Sequence, residues 1–160
     1  MRIVFAALFV TFLPALALAH ETAAPLPPVP ETNAATEEAA NAVDAFHKAL
    51  MKGDRQAAQA LLDDQVQIYE QGWVERSKVE YASHHLESDA EFSAATSATQ
   101  TARSAMIVGD LAYVASEGTV TGTFKGKAIN SITLETMVLR RTQDGWHIVH
   151  IHWSSRAPKK

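Results

Sequence analysis

An α+β fold, with a strongly curved mixed or antiparallel sheet wrapped over three N-terminal helices, is predicted by three features of the sequence. Between Glu37 and Ser88 apolar residues recur mostly at three-to-four spacing. Beyond Ala90 the composition turns to Thr, Ser, Val and Ile. The turn pairs Gly109-Asp110, Lys125-Gly126 and Asp144-Gly145 divide this second half at regular intervals. Helices followed by hairpin-linked strands bury their apolar faces mainly against each other, which makes a sheet laid over helices the expected arrangement.

The first 19 residues stand apart from this domain. Arg2 supplies a positive start, Ile3 to Leu13 an apolar core, and Ala17-Leu18-Ala19 a small-x-small cleavage signal, so 1–19 reads as a secretory signal peptide. Export to the periplasm is the expected location, with no membrane attachment after cleavage. Residues 20–36, with Pro25, Pro27, Pro28 and Pro30 and no apolar period, read as a tether. The domain is expected over 37–156 and a frayed tail over 157–160.

Within the domain, Ala39, Val43, Phe46, Leu50 and Met51 mark a first helix, with Thr36 as N-cap and Gly53 as its stop. Asp54 caps a second, shorter helix through Leu62. Val66, Ile68 and Glu70 alternate as a short strand, Gln71-Gly72 bends the chain into Trp73, and Ser77-Lys78-Val79-Glu80 forms a capping box that opens a third helix to about Ser88. Four strands follow, over 92–108, 112–123, 128–141 and 146–155.

Composition narrows the function classes. The 160 residues carry a formal net charge of −4 and no basic stripe, which argues against a nucleic-acid partner. Zero cysteines exclude a disulfide framework, a thiol nucleophile and thiolate metal sites. Any metal must therefore be held by His and carboxylate.

The most informative stretch is the last strand, Gly145 to Arg156. Strict alternation places Trp146, Ile148, His150, His152 and Ser154 on one face and His147, Val149, Ile151 and Trp153 on the other. The first face, half apolar and half imidazole, is expected to line a pocket. The second is expected to form an outer sheet face apolar enough to be a homodimer interface.

The order of elements, the bend at Trp73 and the run Asp144-Gly145-Trp146-His147-Ile148-Val149-His150-Ile151-His152-Trp153-Ser154 resemble the SnoaL-like branch of the nuclear-transport-factor-2-like superfamily. The last strand is similar to that of the calcium/calmodulin-dependent kinase II association domain. The resemblance spans about 39–156 and implies a cone-shaped α+β fold, for which isomerases, dehydratases and oligomerisation modules are equally at home.

Three readings of the cone interior stand side by side. In the first, a small molecule binds, with His150 or His152 as general base and Tyr81 or Tyr69 as donor to a developing oxyanion, in a pocket also lined by Trp73, His84, His85, Arg103, Trp146 and Ser154. This would be lyase or isomerase chemistry, although the strand-borne Asp of the steroid isomerases is missing. In the second, no organic cofactor is needed, and His150 and His152, with His84 or His85 as the third imidazole, hold zinc or copper. In the third, the histidines are hydrogen-bonded structural residues of a packing or dimerisation module. Glu117 and Glu135, flanked by Ser and Thr, are expected on the exposed outer face. Arg103, if inward, is an anion anchor.

Overall fold

The computed structural model describes residues 34–159. The signal peptide expected over 1–19 and most of the tether lie outside the described residues. Helix α1 spans Ala34–Met51. It starts ahead of the expected boundary, so Thr36 is buried within its first turn instead of capping it. Its stripe of Ala39, Val43, Phe46 and Leu50 is almost wholly buried, and at about 1.5–3 kcal/mol for each large apolar side chain it supplies much of the core. The helix ends in a Schellman motif. Gly53, at φ +69°, donates to Leu50 O (2.9 Å) and Asp54 to Ala49 O (2.9 Å). Asp54 then caps α2 (Arg55–Ala60) by accepting from the Ala57 amide.

Strands β1 (Leu62–Glu70) and β2 (Trp73–Glu75) form a hairpin across Gln71-Gly72. Asp63 and Asp64 lie inside β1. Helix α3 (Lys78–His84) opens as its capping box requires, with Ser77 Oγ accepting from the Glu80 amide at 3.1 Å. The Glu80 carboxylate reaches the Arg76 amide (2.6 Å), one residue further back than expected. The chain continues almost without a break into α4 (Leu86–Ala95). This corrects the strand expected from Phe92. The run Leu86–Ala95 contains no β-branched residue, and the strand begins at the first one, Thr96.

Strands β3 (Thr96–Val108), β4 (Leu111–Phe124), β5 (Lys127–Thr142) and β6 (Gly145–Arg156) form the expected meander. The six strands lie in the order β2-β1-β6-β5-β4-β3. All neighbours are antiparallel except β1 and β6, so the sheet is mixed. The helices cover one face only: α1 packs on β6, β4 and β3, and α3 on β1. Two helices precede the sheet and two are inserted after its first hairpin.

One irregularity decides which side chains enter the cone. Opposite β5, Leu139 pairs with Ile148 but Val138 pairs with His150, so Val149 is an extra residue, a β-bulge. A bulge shifts the alternation by one. Trp146 and Ile148 point inward before it, Ile151 and Trp153 after it. The expectation that His150, His152 and Ser154 face the interior is therefore overturned, as is the placing of Ile151 and Trp153 on the outer face. Ile151 is fully buried, and Trp153 stacks on Phe46 of α1 with centroids 6.4 Å apart.

Candidate functional site

The pairing registers align one row of inward side chains across all six strands. Trp73 pairs with Glu70, Glu70 with Trp153, Trp153 with Glu135, Glu135 with Ser116, and Ser116 with Arg103. This row faces the helices and carries most of the polar chemistry of the interior. The Trp153–Phe46 stack divides it into two halves.

In the first half Ile68, Glu70, Trp73 and Glu75 from the β1–β2 hairpin meet Tyr81 of α3, His85 between α3 and α4, and Asp89 of α4 around a recess of about 30 Å³. Tyr81 and His85 come together because they are four apart on one helical face. The Tyr81 hydroxyl is fully buried and donates to Asp89 Oδ2 at 2.8 Å. Glu75, 4% exposed, is held between His85 Nδ1 on Oε1 and His84 Nδ1 on Oε2, the latter at 3.4 Å. Trp73, 70% exposed, forms the rim. Burial pushes both Glu70 and Asp89 above the ordinary carboxylate range. The charge of Asp89 raises Glu70 further, and Glu75 adds to the rise of Asp89. Burial and Asp89 also raise Tyr81, so its hydroxyl stays protonated.

The second half lies on the other side of Trp153. Glu135 Oε2 accepts from Trp153 Nε1 (2.7 Å) and lies 2.8 Å from His47 Nε2 on α1. Burial alone would raise this carboxyl. His47, the indole N–H and the charge of Arg103 outweigh it and hold the group below its usual range. Arg103 faces inward, but Asp44 occupies its Nη2 at 2.8 Å and Ser116 Oγ its Nε at 3.2 Å. Its charge is thus already met inside the fold, against a role as anion anchor. Glu135, expected outside, is inside, while Glu117 is exposed on the outer face.

Of the residues singled out in the sequence, Trp73, Tyr81 and His85 meet at the recess, and His84 stands at its flank. Tyr69 is on the outer face, correcting its expected place in the pocket, and packs against His150 with centroids 5.3 Å apart. Partial burial lowers the His150 pKa; His152 and Ser154 are exposed on the same face. Trp146 is inward but at the far end, stacked under Arg141 at 4.4 Å in the core. His84 and His85 are on a different face of the sheet from His150 and His152, so neither can share one ion with them as expected. Glu70, Glu75, Asp89 and His47 were not singled out. A usable signal for the first two is their common inward phase on either side of the Gln71-Gly72 turn; Asp89 and His47 come from separate helices and carry no local signature.

A curved mixed sheet closed on one face by helices, with a polar row inside, defines a cone of the nuclear-transport-factor-2-like superfamily. Its sequence match to the SnoaL-like domain over residues 39–158 places the chain in that family. Among solved structures it is similar to a candidate ketosteroid isomerase from Shewanella frigidimarina, at 42% identity over 73% of this chain and 94% of the other, with TM-score 0.70. A candidate dehydratase of the NTF2-like family from Streptomyces avermitilis matches at 23% identity over 78% and 97% of the two chains (TM-score 0.67). The CaMKII hub of S. rosetta matches at 19% over 83% and 100% (TM-score 0.65). These last two attest the fold alone. No curated protein matches the chain in sequence.

Proposed function

We propose that this protein binds a small enolisable carbonyl compound in the cone and shifts a proton on it, as an isomerase, with Glu70 and Asp89 as the acid/base pair. The observation that carries this reading is that both carboxyls border one recess and both are raised there. Two neighbouring acids that each resist ionisation divide the work: one gives up its proton and serves as base, the other stays neutral and can donate a hydrogen bond. Asp89, whose carboxylate accepts from the Tyr81 hydroxyl, takes the α-proton of the ketone and returns it at the far carbon of the allylic system. Glu70, raised by burial and by the Asp89 charge beside it, keeps its proton and donates to the enolate oxygen. The recess admits only the reacting carbonyl end, and Trp73 gives the remaining apolar body a surface to lie on. The kinship at 42% identity with a candidate ketosteroid isomerase supports the reaction class.

The test is the conversion of a β,γ-unsaturated 3-ketosteroid to its conjugated isomer, followed by ultraviolet absorbance. Turnover by the wild type and a loss of about 10²–10⁴-fold in Asp89→Asn are expected. Wild-type inactivity towards this substrate and smaller β,γ-unsaturated ketones, or full activity in Asp89→Asn, overturns the reading.

Two features of setting belong to the same proposal. The leader over 1–19 directs the chain to the periplasm, where fractionation should find it. The outer sheet face exposes Met106, Val108, Leu111, Tyr113 and Leu134, more apolar surface than scattered residues would leave, and we read it as the face of a homodimer.

A further inference from the structure

The sequence suggested a metal site whose three histidines the fold separates, yet one of them has found other partners. We propose that Glu75, Glu80 and His84 bind one divalent transition-metal ion of the zinc type along one side of α3, beside the recess. One carboxylate oxygen from each glutamate and a ring nitrogen of His84 all lie within 4.8 Å of one another. Glu80 and His84 are four residues apart on α3 and therefore project from one helical face, while Glu75 closes β2 opposite them.

The spacing favours ligation over a simple hydrogen bond. Glu75 Oε2 and His84 Nδ1 are 3.4 Å apart. That is long for an N–H···O bond. It is the edge that two ligands at about 2.0–2.1 Å from an ion make in tetrahedral coordination, about 3.3–3.4 Å. The other oxygen of Glu75 is taken by His85 Nδ1, which fixes the carboxylate in the way outer-shell partners orient metal ligands. Glu80 accepts from the Arg76 amide through Oε2, which anchors its carboxylate at the start of α3. Two carboxylates and a neutral imidazole present two negative charges, matched by a divalent cation, and the mixed oxygen and nitrogen set suits a borderline ion over calcium or copper(I). The His84 side chain is 59% exposed, so the ion has a route in and a coordination position open to water. Neither Glu70 nor Asp89 is a ligand, so the site stands or falls separately from the isomerase reading.

The test is calorimetric titration of zinc into tag-free protein stripped with a chelator, with cobalt absorption to report the geometry. One zinc per chain is expected, with affinity lowered at least about tenfold in each of Glu80→Gln and His84→Ala. Glu80→Gln keeps an oxygen for the Arg76 amide, so α3 stays capped and the circular dichroism of the metal-free variant should match wild type. His152→Ala should leave zinc affinity unchanged. No saturable zinc binding, affinity unchanged in both site variants, or binding abolished by His152→Ala overturns the assignment.

Discussion

Glu70 and Glu135 flank Trp153 on one inward row of the sheet, two strands and so about 10 Å apart, yet their surroundings drive them in opposite directions. Glu70 is desolvated beside another carboxyl and is raised. Glu135 is further out of water but is given an imidazole, an indole N–H and a nearby guanidinium, and is lowered. The same side chain is a proton carrier in one place and a fixed anion in the other, which is the division of labour expected where environment, not residue type, assigns the role.

For Glu135 the consequence is a pH-dependent tie between α1 and the sheet. A carboxyl lowered in the folded state adds stability that is present above its unfolded value, near 4.5, and is lost as the pH falls through the lower folded value. Urea unfolding at a series of acidic pH values should show this loss in the wild type and a flatter profile in Glu135→Gln. At neutral pH Glu135→Ala should cost about 1.5–3 kcal/mol, because hydrogen bonds to a charged acceptor are removed.

Glu70 should behave in the opposite sense. Its folded pKa is raised, so the unfolded chain ionises first and stability falls as the pH climbs from the unfolded value through the folded one. Glu70→Gln should therefore melt higher than wild type at neutral pH, with the difference vanishing in acid, where both forms are neutral. A variant that is more stable and less active would mark strain kept for function. A lower melting temperature in Glu70→Gln at neutral pH would refute the desolvation account.

The first three helices, the meander and its turns were legible because they rest on local chemistry: the Ser77 cap, the Gly53 stop, and Lys125 and Gly126 at φ +48° and +78° in their hairpin. The face of the last strand was not. A bulge at Val149 needs no glycine or proline, and period two alone runs straight through it. The trace it does leave is in the large apolar residues, since Trp146, Ile148, Ile151 and Trp153 keep to one face only if one extra residue is counted between Ile148 and Ile151. Glu70 and Asp89 are 19 positions apart on a strand and a helix, and nothing local announces that they meet. Glu135 was read as exposed from its Ser and Thr neighbours, although partners on α1 and β6 make its burial tolerable.

The bulge also makes the histidines a control. His150 and His152 lie on the face away from the recess, so His150→Ala and His152→Ala should leave any isomerase turnover within about twofold of wild type if they touch no reacting atom. Loss of turnover in either, with the fold intact, would return the base to the last strand.

If the outer face joins two copies, Leu134, 52% exposed near its middle on β5, is the side chain to change. Leu134→Glu places a charge where an apolar contact would be desolvated and should convert a dimer to monomer in size-exclusion chromatography with light scattering. Leu134→Met should not. A wild type that is monomeric at high micromolar concentration would dismiss the interface.

Among the glycines, Gly118 leaves the least room for a Cβ, and it yields a prediction independent of function. A Cβ there would lie 2.7 Å from the Thr99 carbonyl oxygen and 3.3 Å from Thr133 Oγ1. Thr99 and Gln100 adjoin the irregularity at Thr101 where β3 bends along β4, so the strands close on a position that has no side chain. The hydroxyl of Thr133 can rotate away, but the carbonyl belongs to the paired backbone. Gly118→Ala should therefore push β3 off β4 and cost about 1–3 kcal/mol, read as a lower urea midpoint. Gly126→Ala, where a Cβ meets no atom within 4 Å but φ is +78°, should cost less, about 1 kcal/mol from backbone strain alone. If the two substitutions cost the same, strand contact is not what reserves position 118 for glycine.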